Sequence, residues 1–278
     1  MKKYAKKVLC LVLAIVMACT MLAGCSAGAG SAAASQDELQ KIMSNGKITV
    51  AISLGNEPWC WKDADGEVKG LAIDLIEGFA EKMEIDIEYV TLEFSGLIPA
   101  VQAGKADIIA TNLTRKPSRA ASVLFTESVG CTFGVALTRK GEFASLDDIN
   151  NASVTLTTEV GSNYETVGTE TFPNATMAAC ENNSDALAAV KSGRADVMVT
   201  DLAIASSACA ADDSLEYMTP YIYTDTLAFG VKCDASAMTL AEAFNTHLRV
   251  IKADGTYAAL YEKYFGNEWV PMYTDSAM

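Results

Sequence analysis

An α/β protein of two similar lobes is what this sequence predicts, and three observations carry the expectation. First, a twelve-residue stretch recurs. Residues 100–111 read AVQAGKADIIAT and residues 189–200 read AVKSGRADVMVT, in register 89 positions apart. Second, a short apolar strand and then a helix precede each copy. Third, two apolar β-like runs lie where the halves would join. A repeated supersecondary unit means either a duplication or two lobes that met the same packing demand.

The elements follow in order. Residues 48–52 (ITVAI) form the opening strand of the first unit, and residues 71–83 form its helix by the three-to-four spacing of apolar positions. Each copy of the repeat then reads as a helix end, a Gly, a basic residue, Ala-Asp and a short apolar strand. Residues 153–157 and 163–170 are the corresponding strand and helix of the second unit. Strand-helix-strand order implies mainly parallel sheets with right-handed crossovers. Residues 131–138 (CTFGVALT) and 226–232 (TLAFGVK) are strands that would join the lobes as a two-stranded hinge. The ending, residues 240–265, is helical by pattern, broken at Asp254-Gly255, and is expected on the first lobe. Lobe 1 is therefore placed at 46–130 and 225–278, and lobe 2 at 131–224.

Composition narrows the function. Half of the 278 residues are hydrophobic and 20% are charged, so the chain can bury sizeable cores. A net charge of −14 argues against nucleic acid, whose phosphates need a basic face. His247 is the one histidine, which excludes a zinc site built on several histidines and a Ser-His-Asp triad using any other. No metal and no cofactor is expected. His247 itself is expected to pack or face water.

The first residues read as an address. Lys2, Lys3, Lys6 and Lys7 precede an apolar run at 8–18 too short to span a bilayer comfortably, and the segment ends in Leu22-Ala23-Gly24-Cys25. That tetrad resembles a bacterial lipobox, which implies cleavage after residue 24 and a lipid on Cys25. Residues 25–45 are then expected to be a flexible tether, since 26–36 are Ser, Ala and Gly with one Gln. Losing residues 1–24 removes four lysines and no acid, leaving a net charge of −18. Such a surface is not drawn to an anionic membrane, so the lipid would have to hold it there. Of the eight cysteines, Cys60, Cys131, Cys180, Cys209 and Cys233 remain. They are odd in number and scattered, and are expected to be mostly small buried hydrophobes; one disulfide stays open.

Several segments, in order, carry a resemblance: Pro58-Trp59 after the opening strand, Gly70 through Leu75, and Ser95 through Ala100. Thr114 with Pro117 through Arg119, then Asp196 through Asp201, and Ala253 through Gly266 complete it. Across residues 46–267 the chain resembles the extracellular solute-binding proteins of the polar amino-acid family (family 3), receptor subunits of ABC importers. The resemblance implies a type II periplasmic-binding-protein-like fold, two lobes closing over a ligand.

Ligands of open α/β sheets bind outside the carboxyl ends of the strands. That rule selects residues 111–114 and Thr200-Asp201. Arg119 would clamp an α-carboxylate, because its planar fork gives two parallel charge-assisted bonds that Lys cannot match. Its neighbours Arg115 and Lys116 also suit a solvated basic run. Thr114 resembles the family's hydroxyl beside that Arg, and Asn112 sits where the family makes a backbone contact. Lys116 departs from the family's Thr. Asp201 would meet the α-ammonium, and it is also a good helix N-cap. Asp107 and Asp196 recur in both lobes and are expected to be structural. The Gly161-Ser162 turn opens a helix and would complete the carboxylate site through exposed N–H groups, or simply cap. Phe94 and Trp59 would sandwich the ligand side chain, with Trp61 less suited. Asn56 stands where many relatives have an aromatic. Ser53 stands where binders of basic amino acids often carry Asp, which argues against lysine or arginine; Glu57 would partly restore it.

These residues describe a monomeric carrier without catalysis, on the extracellular face of the cytoplasmic membrane, that delivers a free amino acid to importer permease subunits. The alternative is an enzyme on the same scaffold, such as a cyclohexadienyl or arogenate dehydratase, with Glu57 or Glu93 as general acid. A fused lytic module or a spanning receptor segment is not expected.

Overall fold

A computed structural model describes residues 37–266. The signal segment and Cys25 lie outside the described residues. The described part of the tether corrects its expected extent. Glu38–Asn45 form helix α1, because Asp37 caps it through Gln40 N at 3.1 Å and Ile42 is 1% exposed against the core. Thr239 Oγ1 donates to Asp37 at 2.6 Å and ties the helix down.

Lobe 1 continues with β1 (Lys47–Ile52), the small hairpin β2 (Trp61–Lys62) and β3 (Val68–Lys69), α2 (Leu71–Met83), β4 (Asp86–Thr91), α3 (Phe94–Gln102), β5 (Ile108–Ile109) and α4 (Pro117–Ala120). The 17-residue strand β6 (Val123–Arg139) leads into lobe 2. There α5 (Leu146–Ile149), β7 (Thr155–Thr157), α6 (Tyr164–Thr171), β8 (Thr176–Met177), α7 (Asn183–Lys191), β9 (Val197–Asp201), α8 (Leu202–Ala211) and β10 (Leu215–Tyr217) follow. Strand β11 (Tyr223–Lys232) returns to lobe 1, where α9 (Met238–Ala253) and α10 (Thr256–Phe265) pack.

Apart from the β2–β3 hairpin, the strands lie in one sheet, ordered β4-β1-β5-β11-β6-β9-β7-β8, with β10 on β6. Parallel pairs β1–β4, β1–β5, β7–β8 and β7–β9 sit at its two ends, and β5–β11, β11–β6 and β6–β9 are antiparallel in its middle. The hinge is therefore built into the sheet. Strand β6 pairs β11 from Val123 to Gly134 and β9 from Gly134 to Thr138, with irregular register near Ala228. Both hinge strands run longer than the sequence predicts, because Tyr223 to Asp225 and Val123 to Gly130 gain partners only in the folded sheet.

Both faces of the sheet are covered. In β1, Ile48, Val50 and Ile52 enter one core and Ala51 the other. In β9, Val197 and Val199 face one core and Met198 the other. This is period-two packing with both faces buried, which reads as continuous hydrophobicity in sequence. Helices α9 and α10 close the lobe 1 core with Leu240, Phe244, Leu248, Ile251 and Tyr257, as expected.

The repeat has a physical cause. After α3 and α7, Gly104 and Gly193 adopt left-handed φ of +68° and +73°. Lys105 N then donates to Ala100 O, and Arg194 N to Ala189 O, both at 2.9 Å. Asp107 N and one carboxylate oxygen hold Thr49 O and N at 2.8 and 2.7 Å. Asp196 holds Thr155 O and N in the same way, both at 2.8 Å. Each Asp thus fastens the repeat strand to its lobe's first strand, which is the structural role expected of both.

Candidate ligand-binding cleft

The lobe 1 wall starts where β5 ends. Leu113 O accepts from Ala228 N at 3.0 Å and Arg115 N donates to Thr226 O at 2.8 Å, so hinge strand β11 holds residues 113–115 extended. Pro117 then opens the short turn α4, a position that suits its fixed φ. This turn aims Arg119 back toward the cleft. Arg119 is 8% exposed, which overturns the solvated basic run for this residue. Its Nη1 donates to Thr114 O at 3.1 Å and its Nη2 to Gly161 O at 2.9 Å. The guanidinium lies 5.4 Å above the Phe94 ring. Asn112 and Thr114 are buried beside it, and Asn112 Oδ1 accepts from Thr111 Oγ1 at 3.0 Å.

The lobe 2 wall is acidic. Asp201 is buried at the end of β9 and caps α8 through Ala203 N at 2.7 Å. Thr132 on the hinge strand donates to its other oxygen. Burial pushes the Asp201 carboxyl up to about 6, although Thr132, Ala203 N and the nearby Trp59 indole oppose the shift. The cap and a cleft-facing acid thus coexist in one side chain. Glu159, two residues past β7, is 1% exposed. Burial, then the negative charge of Glu93, push it up to about 8 against the pull of Ser53 and Arg119.

Among the described residues, several contacts join the lobes. Besides Arg119 with Gly161, Asn183 Nδ2 donates to Asn56 Oδ1 at 2.7 Å and Lys116 Nζ to Asn163 Oδ1 at 2.6 Å. Gly161 packs so closely on Ser95 that a Cβ at Gly161 would stand 3.0 Å from that of Ser95. Its φ of +77° also requires glycine.

Three expectations change. The N–H groups of the Gly161-Ser162 turn are engaged inside lobe 2, Gly161 N with Glu165 at 2.7 Å and Ser162 N with Glu159 O at 3.1 Å. The turn meets lobe 1 through the Gly161 carbonyl instead. Trp59 is 1% exposed and packs edge-on to Phe265 at 5.0 Å, so its ring joins the lobe 1 core and floors the cleft, with its indole N–H toward Asp201. Asn56, where an aromatic was noted in relatives, is fully buried and spent on Ser53 O, Leu54 O and Asn183. Glu57 is exposed at the outer crevice, lining with Trp61 a cavity of about 440 Å³. His247 packs between Phe79 and Phe244, and burial lowers its pKa. Cys60, Cys180, Cys209 and Cys233 are free thiols, and burial pushes the Cys60 thiol up to about 12.

Glu159, Asn183 and Thr132 were not singled out from the sequence. The strand-end rule would have found Glu159 had it been applied to β7 as well as to the repeat strands. Nothing in the local pattern marks Asn183 or Thr132.

One further property belongs to the cleft as a whole. Among the described residues, the buried side-chain atoms without a hydrogen-bond partner are Ser53 Oγ, Trp59 Nε1, Glu159 Oε1, Asn163 Nδ2 and Thr200 Oγ1. Ser53, Glu159 and Thr200 stand at or just past the carboxyl ends of β1, β7 and β9, and Trp59 and Asn163 lie further along the segments that leave β1 and β7. Each such atom costs about 1–3 kcal/mol. A polar solute between the lobes would satisfy them.

The family model of bacterial extracellular solute-binding proteins, family 3, matches residues 48–267. The chain belongs to this family. A probable amino-acid ABC transporter periplasmic-binding protein of Sinorhizobium fredii is 29% identical over 66% of this chain and 63% of its own length. The ABC transporter glutamine-binding protein GlnH of Bacillus subtilis is 27% identical over 83% of this chain and 85% of its own. A solved structure of an ancestral amino-acid-binding protein, AncCDT-1, described as a precursor of cyclohexadienyl dehydratase, superposes with a TM-score of 0.76. It is 31% identical and covers 82% of this chain and 99% of its own. As in this family of two-lobed binding proteins, no helix among the described residues is long and apolar enough to cross a membrane.

Proposed function

We propose that this solute-binding protein takes a free amino acid between its lobes and delivers it to the permease subunits of an ABC importer. One observation carries the reading. A buried Arg119 in lobe 1 and a buried Asp201 in lobe 2 offer opposite charges from opposite walls, among polar atoms left without partners. An α-carboxylate and an α-ammonium match that pair. Burying either charge unpaired would cost several kcal/mol. Thr114 and Asn112 flank the carboxylate end, and Phe94 supports Arg119 from below.

The protein works as a monomer, without a cofactor or catalysis, held at the outer face of the cytoplasmic membrane by a lipid on Cys25. The lipobox-like tetrad and the acidic mature surface support the anchor. Cys25→Ala should release the protein into the medium or leave an uncleaved precursor; mature-sized protein still in the detergent phase would refute the anchor.

A thermal-shift screen over free amino acids tests the carrier. A ligand at a hundredfold its dissociation constant adds about 2.7 kcal/mol of stability. No shift with any of them would overturn the reading. A second reading, the dehydratase, is favoured by the buried Glu159, whose raised pKa suits a general acid. Glu57 and Glu93 are both exposed and suit that role less. Turnover of an arogenate-type substrate would establish it.

A further inference from the structure

We propose that Glu159 selects the ligand's side chain, and that the cleft takes a free amino acid whose side chain carries a positive charge. The proposal rests on the amino-acid reading above and adds to it a specificity-determining residue and a ligand class.

The charges of the cleft carry the argument. With a zwitterion bound, Arg119 would answer the carboxylate and Asp201 the ammonium. Glu159 is then a third ionisable group with no counterpart. It is 1% exposed, so water does not solvate it. Its Oε2 accepts a 3.3 Å bond from Asn183 Nδ2, and its Oε1 has no partner. Asn183 is itself held by Asn56 across the cleft at 2.7 Å, so the amide that supports Glu159 is fixed. The Ser53 hydroxyl, past the end of β1, faces Glu159 from lobe 1 closely enough to pull its carboxyl down, yet makes no hydrogen bond. A carboxylate oxygen and a hydroxyl on facing walls make a receptor for a donor-rich, cationic head.

Ser53 argued from sequence against a basic ligand, because relatives that bind basic amino acids often carry the acid there. In this chain the acid stands on the opposite lobe. It reaches the cleft from β7 instead of β1.

The proposal has a proton signature. The charged groups acting on Glu159 are Glu93, before α3, and Arg119 on α4, both from lobe 1. From lobe 2 it meets the amide of Asn183 and the backbone of Cys180, whose thiol is engaged with Thr157 Oγ1 at 3.4 Å. Glu159 stays protonated to about pH 8. A cationic side chain favours the charged carboxylate and must displace that proton. Binding of such a ligand therefore releases a proton below about pH 8, and affinity rises as pH climbs toward it. A neutral side chain gains nothing from the same titration.

Calorimetry with arginine, lysine and glutamine, between pH 6.5 and 8.5 and in two buffers of different ionisation enthalpy, tests this. The wild type should bind arginine or lysine at least tenfold more tightly than glutamine at pH 8.5, with proton release at pH 7. Glu159→Gln keeps the volume and resembles the protonated side chain, so it should fold. It should lose tenfold or more of the preference for the cationic ligand over glutamine, and lose the proton release. A wild type that prefers glutamine to both cationic ligands overturns the inference without any variant. So does an E159Q protein that binds arginine as tightly as wild type. A protein that binds no free amino acid overturns the functional reading, and this inference with it.

Discussion

In lobe 1 the Gly-basic-Ala-Asp turn delivers a two-residue strand and then the uncharged run Thr111 to Thr114. In lobe 2 the same turn delivers a five-residue strand that ends directly in Asp201. Everything up to the strand is matched: the left-handed Gly, the amide that bonds back to the helix, and the Asp that grips the first strand. What differs lies past the strand. Lobe 1 spends its next residues on a loop pinned to β11, and Arg119 reaches the cleft from the turn beyond it. Lobe 2 puts a carboxylate at the strand end and caps the next helix with it. A shared packing solution has been given opposite charges at its two outlets. That is the arrangement a zwitterion requires, and it separates residues that hold the lobes from residues that hold a ligand.

The largest effect is expected at the lobe 1 outlet. Arg119→Lys keeps the charge and loses the fork that reaches both Thr114 O and Gly161 O. Losing one charge-assisted bond costs about 1.5–3 kcal/mol, roughly a ten- to hundredfold loss of affinity. Calorimetry on the ligand found in the screen measures it, with circular dichroism to confirm the fold. Equal affinities would remove Arg119 from the site.

How much of this contrast was legible in the sequence follows from its physics. The helix at residues 71–83 was placed to the residue, because its apolar spacing and Glu84, which takes a left-handed φ of +54°, are local. The repeat was visible because both lobes solve one local problem. Asp201 and Arg119 could be read because strand ends and Arg chemistry are sequence properties. Trp59 lies deeper than the sequence suggests, because an aromatic after a strand reads alike whether it faces a core or a cleft, and the ring it packs against, Phe265, is over two hundred residues later. The N–H groups of the Gly161-Ser162 turn are taken within lobe 2, Gly161 N by Glu165 one turn along and Ser162 N by Glu159 O. Glu159 was missed because past a strand end no periodicity tells which way a side chain points.

Second in size is the lobe 2 outlet, and it separates charge from cap. In Asp201→Asn the amide oxygen can still accept from Ala203 N, so the helix keeps its cap. The α-ammonium loses its counter-charge, and affinity should fall tenfold or more. In the wild type the Asp201 carboxyl titrates near 6 before ligand binds. Affinity should therefore weaken as pH falls from about 7 to about 5, where the group becomes neutral. Measured with a ligand of neutral side chain, to which the Glu159 titration contributes nothing, D201N should be flat over that range. An unchanged affinity at pH 7.5 would leave Asp201 as a cap only.

A smaller effect is expected where the lobes touch. Gly161→Ala puts a methyl group 3.0 Å from Ser95 Cβ at a left-handed φ, a backbone penalty of about 1 kcal/mol before the clash is counted. The variant should bind a few-fold more weakly and should compact less at saturation. A ligand can favour closure only by its differential affinity for the closed form. Small-angle scattering with and without ligand reads this. Compaction equal to the wild type's would show that the Gly161–Ser95 contact does not limit closure.

The smallest effect tests the matched part of the repeat and should spare binding altogether. Asp107→Asn and Asp196→Asn both leave an oxygen to accept from the first strand's amide, Thr49 N in one lobe and Thr155 N in the other. Their surroundings differ. Asp196 faces Arg139 at 3.2 Å, a half-exposed ion pair, and D196N should cost under about 1 kcal/mol at pH 7. Asp107 is half-buried beside Glu38, and partial burial first, then that neighbour, push its carboxyl up to about 6, with Lys41 no closer than 4.0 Å. Its charge at pH 7 therefore opposes folding. A carboxyl raised from 3.8 binds its proton in the folded state first, so stability from this group grows as pH falls from about 6 toward 4. D107N should match or slightly exceed the wild type's stability at pH 7, and its advantage should vanish by pH 4 to 5, where wild-type Asp107 is already neutral. Urea unfolding of both variants at pH 7 and pH 5 decides the matter. If D107N and D196N destabilise equally at pH 7, the two turns are alike in energetics as well as in geometry, and the lobes diverge only past the strand.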